Sequence, residues 1–204
     1  MWAHSPDPHF IFSTKIYPYM LTITDLSTLP DQLEPGIVVY LARQEASPPT
    51  WIQPLGESNL QVAPGKRKII SHQGQTYLIL GTVADPSHET LRKLTHEAVS
   101  FAKQYESPHL YLGCHTDEVG WLAIAEAAWL SMYRFIPYLS ELPQESLQAI
   151  FLIGESTSTQ AIHAARARAK ATHIARDLVN EPQNPKTPKP QNPQTPKPRK
   201  PTLV

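Results

Sequence analysis

Short, continuous apolar runs alternate along the chain with longer segments of helical spacing. "GIVVYLAR" (Gly36–Arg43) carries no charge before its last residue, is rich in β-branched side chains and follows Pro35, which predicts a buried strand. "KRKIISHQGQTYLILG" predicts two strands around His72-Gln73-Gly74-Gln75, where glycine supplies the positive φ of a tight hairpin. "SHETLRKLTHEAVSFAKQYE" places Leu91, Leu94, Ala98, Phe101, Ala102 and Tyr105 at helical spacing, with Ser87 as N-cap and Glu89 in the first turn. "HLYLG" (His109–Gly113) predicts another buried strand. The helix after it, "TDEVGWLAIAEAAWLSMYRF", is expected to be capped by Thr116 and to turn Trp121, Ile124, Ala128, Trp129 and Met132 toward the sheet. "LQAIFLIG" (Leu147–Gly154) is a further strand, leading through "ESTST" into a helix over about residues 158–180. The first 35 residues are less regular: "FIFSTKIYPYMLTIT" fits one or two strands, with Pro18 marking an edge or a break.

Repeated strand-helix succession predicts an α/β fold, a mainly parallel or mixed sheet flanked by helices. From Pro182 onward the pattern stops. "QNPKTPKP" (Gln183–Pro190) is followed by "QNPQTPKP" (Gln191–Pro198), an octapeptide repeat whose prolines forbid a packed element, so residues 182–204 are expected to be a disordered proline- and lysine-rich tail.

Composition sharpens this division. The chain has 204 residues, 41% of them hydrophobic, enough for one domain with a core and cramped for two. Its formal charge is zero, but the tail holds Lys186, Lys189, Lys197, Arg199 and Lys200 and no acid. The 18 basic residues less these five leave 13 against 18 acidic ones, about −5 for the body, which argues against nucleic-acid binding by bulk charge. Cys114 is the single cysteine, so no intrachain disulfide and no four-cysteine metal site can form. No secretory leader pattern or membrane-length apolar run is present, and a cytoplasmic location without a membrane partner is expected.

"ARDLVNEPQNPKTP" (Ala175–Pro188) resembles the segment joining the two halves of the leucyl aminopeptidase (cytosol aminopeptidase) family, with Asn180, Pro182, Asn184, Thr187 and Pro188 at matching intervals. "AAWLSMYRFIPY" (Ala127–Tyr138) is similar to a helix of that family's amino-terminal domain, Tyr133, Arg134 and Phe135 supplying its closing triplet. The resemblance implies a macro-domain-like α/β fold over residues 1–181, with the helix near 158–180 as interdomain linker. It also implies that chemistry belongs to a carboxy-terminal half, where acidic residues and a lysine hold two divalent metals, zinc or manganese. Lys189–Val204 contain no Asp, Glu, His or Cys, so this chain is expected to hold no catalytic, cofactor or metal residue of its own. A natural short paralogue, a degraded gene and an incomplete gene model all fit. Two roles follow: a non-catalytic structural or oligomerisation module, with itself or full-length homologues as partners, or one part of a split or truncated metal-dependent aminopeptidase. A nucleotide or ADP-ribose binder is a third, carried by fold analogy alone.

Several local clusters carry both a chemical and a plainer reading. His4, Asp7 and His9 have metal-ligand side chains but no fourth partner nearby. Cys114, His115 and Asp117 follow a strand and open a helix, where a thiolate gains from the helix N-terminus, yet a packed cysteine with Thr116 or Asp117 capping is the plainer reading. The closest glycine pairs, Gly74 with Gly81 and Gly113 with Gly120, form no phosphate-cradling loop. Arg166, Arg168 and Lys170 suit an anion but read first as solvated charge, and Arg176 with Asp177 as a local pair. The tail's P-x-x-P steps, Pro185/Pro188 and Pro193/Pro196, lack the preceding cation of a defined SH3 ligand. Tyr133, Arg134 and Phe135 read either as a domain contact or as helix-end packing, with Arg134 near the terminal carbonyls.

Overall fold

The computed structural model describes residues 22–30, 32–134, 145–154 and 159–180. The expectations for His4, Asp7, His9, Pro18 and Phe135 and for the tail after residue 180 lie outside these residues.

Six strands form one sheet: β1 (Thr22–Leu26), β2 (Gly36–Arg43), β3 (Arg67–His72), β4 (Gln75–Thr82), β5 (His109–Cys114) and β6 (Ala149–Ile153), in the order β1-β6-β5-β2-β4-β3. All pairings are parallel except β3 with β4. That hairpin turns at Gln73 (φ 48°) and Gly74 (φ 78°); two positive φ values in a two-residue loop match the right-handed twist of the flanking strands.

The unbroken apolar character of β2 follows from its place between β4 and β5, covered on both faces. Ile37, Val39 and Leu41 join a core with α2 (His88–Gln104), α3 (Glu118–Ser131) and α4 (Thr159–Asn180). Val38, Tyr40 and Ala42 meet a second core closed by Ile52, Leu55 and Leu60 and by the partly buried Trp51 and Val62. These come from the β2–β3 connection, which includes a short 3₁₀ turn (Gln53–Leu55) and the one-turn helix α1 (Glu57–Leu60). Trp51 sits on β5 at Gly113, where a side chain would strike its ring.

Ser87 caps α2, accepting from the Thr90 N–H at 3.2 Å. Leu91, Ala98, Phe101 and Ala102 are buried as expected. Tyr105 instead is 54% exposed, and Thr95 and Val99 complete the buried stripe. Of the two cap candidates of α3 it is Asp117, rather than Thr116, that accepts from the Gly120 N–H at 2.8 Å, because its carboxylate reaches the first-turn donor. Trp121, Ile124 and Ala128 are buried in the helix-side core, with Trp129 and Met132 at its margin.

Candidate functional site

The two segments that carried the family resemblance meet in space, because α3 and α4 pack side by side and end near each other. Small side chains allow the close packing: Ala161, Ala165 and Ala169 of α4 are buried, as are Ala123, Ala127 and Ala128 of α3. Just past α3, the Tyr133 hydroxyl donates to Asp177 Oδ1 at 2.9 Å, and Asn180 Nδ2 donates to the same hydroxyl at 3.3 Å. The Arg176 guanidinium lies 5.3 Å over the Tyr133 ring, and the His173 ring lies 5.0 Å from it. Arg176 and Asp177 therefore both serve Tyr133. His173 is half-buried and its Nε2 has no hydrogen-bond partner among the described residues; burial, with the Arg176 charge beside it, lowers its pKa below the usual imidazole range.

Among the described residues, the contact shown for the Arg134 side chain is an ion pair with Glu145. Its Nε lies 2.7 Å from Glu145 Oε1, and Lys103 takes the expected place, donating to the Ser131 carbonyl at 3.2 Å with Glu145 Oε2 at 3.8 Å. The Glu145 side chain is only 7% exposed, so its charge is neutralised from two sides. Burial lowers the Lys103 pKa, while the Glu145 carboxylate opposes that shift. Glu145 carries no sequence signal for this role, since it reaches α3 only through folding. These contacts hold the end of α3 to the body, and the Tyr133 hydrogen bonds to Asp177 and Asn180 in turn fix the direction of α4. Beyond Ala169 the helix leaves Ile174 (46%), Leu178 (68%) and Val179 (84%) exposed.

The other candidates resolve more simply. Cys114 is buried and its thiol is pushed up to about 12 by burial, which leaves no thiolate for nucleophilic work at neutral pH. His115 is exposed, and its carbonyl accepts from Arg43 Nη1 at 2.8 Å. The same guanidinium donates through Nε and Nη2 to the Ala84 carbonyl, so Arg43 ties the turns after β4 and β5 together. Gly81 and Gly113 provide room for the Val62–Ala63 backbone and for Trp51, not for a phosphate. Arg166 lies 5.5 Å over the Trp129 ring, whereas Arg168 and Lys170 are exposed. Among the described residues no group of three or more His, Cys, Asp or Glu is placed to hold a metal, and no helix is long and apolar enough to cross a membrane.

No protein-family model matches the chain. It is 40% identical over 74 residues to a probable cytosol aminopeptidase of Alkaliphilus metalliredigens, a match covering 32% of this chain and 15% of that protein. A tomato leucine aminopeptidase mutant superposes with a TM-score of 0.63 at 18% identity, covering 80% of this chain and 39% of that one. The bottromycin maturation enzyme BotP in complex with Mn superposes with a TM-score of 0.53 at 24% identity, covering 73% and 32%. The matches thus span well under half the length of each relative. The chain is related in sequence to the cytosol aminopeptidases over part of its length, and it has the fold of the leucyl aminopeptidase amino-terminal domain.

Proposed function

We propose that this chain is a non-catalytic amino-terminal module of the leucyl aminopeptidase type, cytoplasmic as its relative's name suggests, and that its function is to make a protein contact at the end of α4. The observation that carries this reading is the joint itself. Tyr133, Asp177 and Asn180 hold α4 in a fixed direction, while Ile174, Leu178 and Val179 on its last turns face solvent. A helix anchored by polar contacts with an apolar end uncovered is suited to dock against a second domain or subunit. The partner would be a full-length aminopeptidase homologue or a second copy of this chain. Incubating the full chain with leucine p-nitroanilide and manganese or zinc should give no turnover above a blank; activity that survives repurification would refute the non-catalytic role.

The same uncovered helix end also suits a second reading, in which the chain is one piece of a two-part, metal-dependent aminopeptidase whose two divalent ions reside in the other piece. Adding a separately produced catalytic half should then raise its hydrolysis rate, and an unchanged rate would remove this reading.

A further inference from the structure

α4 is apolar on two opposite sides. The side toward the body is built from Ala161, Ile162, Ala165 and Ala169, all buried. At about 100° per residue, the side turned away from it holds Ala164, Ala167, Ala171, Ile174, Ala175 and Leu178, all exposed. They follow one another at helical spacing over about 21 Å of helix, and no charged residue falls within that arc. A surface helix ordinarily turns charge outward, whereas a helix that is apolar on both sides has its second side covered. Helix propensity accounts for the alanines. It does not account for Ile174 and Leu178, which are 46% and 68% exposed on the same line.

The margins of the arc are basic. Arg168 borders it on one side and Lys170 on the other; both are exposed, and neither is in an ion pair among the described residues. The other two cations of α4 are turned to the body, Arg166 over the Trp129 ring and Arg176 over the Tyr133 ring. The single acid of the helix, Asp177, accepts from the Tyr133 hydroxyl at 2.9 Å. A second copy of α4 laid against this face would therefore bring cations to cations and supply no acid in exchange. An anionic lipid surface would gain charge contacts but little apolar area from alanine, while the same alanines let a second helix approach closely.

We propose that the outer face of α4 receives an acidic amphipathic helix of a partner protein. The large apolar residues of that helix lie along the line from Ala164 to Leu178, filling the room the alanines leave, and its carboxylates stand against Arg168 and Lys170. This rests on the reading of α4 as a docking element and names the chemistry of what docks.

The test is titration of the full chain into a labelled synthetic peptide, read by fluorescence anisotropy at physiological salt. The peptide has three heptads with leucine at a and d and glutamate at e and g. Its comparators are the same peptide with lysine at e and g, and vesicles of phosphatidylcholine with phosphatidylserine. The glutamate peptide should bind saturably, and the lysine peptide and the vesicles should not. Arg168→Glu combined with Lys170→Glu should weaken the glutamate peptide about tenfold, the scale of two exposed charge pairs turned repulsive, with the helical circular dichroism unchanged. Leu178→Asp should weaken it further. No saturable binding of the glutamate peptide, equal binding of the two peptides, tighter binding to the vesicles, or indifference to the double charge reversal would overturn the proposal. If the full chain nonetheless forms a complex with a full-length homologue that Leu178→Asp abolishes, the docking role of α4 stands and only the acidic helix falls.

Discussion

The two halves of α4 hold similar numbers of apolar residues, six in Thr159–Ala169 and five in Lys170–Asn180, and have different physical roles. From Thr159 to Ala169 the helix buries Ala161, Ile162, Ala165 and Ala169 and is part of the core. From Lys170 to Asn180 it keeps a polar hold on Tyr133 but exposes its larger apolar residues, Ile174, Leu178 and Val179. Alanine is the anchor in the first half because it allows close approach to α3. In the second half, leucine and valine are the residues left over. Size and hydrophobicity alone would assign these roles the other way round.

The strongest way to break the contrast is to place a charge on each half. Ala165→Asp buries an unpaired carboxylate between α3 and α4 and should cost about 4 kcal/mol in urea unfolding, or prevent folding. Leu178→Asp should stay within about 0.5 kcal/mol of the parent. Equal costs would mean that the distal half is as well packed as the proximal one.

A smaller effect is expected where the body holds the end of α3. Glu145→Ala leaves Lys103 and Arg134 without their shared carboxylate and should lower stability by about 2 kcal/mol by denaturant titration. Tyr133→Phe, which removes the hydroxyl shared by Asp177 and Asn180, should cost about 1 kcal/mol and quicken amide exchange over residues 170–180 while leaving 160–169 protected.

His173 gives the distal half a pH dependence of definite sign. Its pKa is lowered in the folded state, so the unfolded chain takes up the proton first as the solution is acidified. The stabilisation it confers is fully present above pH 6.5 and is lost as pH falls through the folded-state value. Thermal melts between pH 7 and pH 5 should therefore show a decline in stability that is shallower in His173→Gln. A decline of equal slope in both would assign it to other groups.

Much of this architecture was legible in the chain. Gly36–Arg43 coincides with β2, the His72–Gln75 turn is where the hairpin reverses, and the last helix spans Thr159–Asn180. Continuous apolar runs and a glycine turn are local signals that the fold leaves intact. The cover of the second sheet face was not legible, because it comes from a loop whose order depends on Trp51 seating against Gly113 and on Val62 and Ala63 lying over Gly81. Thr116 and Asp117 are both competent caps, and only the path of the backbone selects Asp117. At the joint, Tyr133 and Asp177 were recognisable as letters of a family pattern, but Glu145 and His173 became visible only once α3 and α4 were side by side.

The central claim, that the end of α4 is a docking surface, is tested most directly by measuring the mass of the full chain by light scattering, alone and mixed with the full-length Alkaliphilus metalliredigens relative. The account expects a stable complex that Leu178→Asp abolishes without unfolding the chain. No complex at all, or a complex that Leu178→Asp leaves intact, would contradict it.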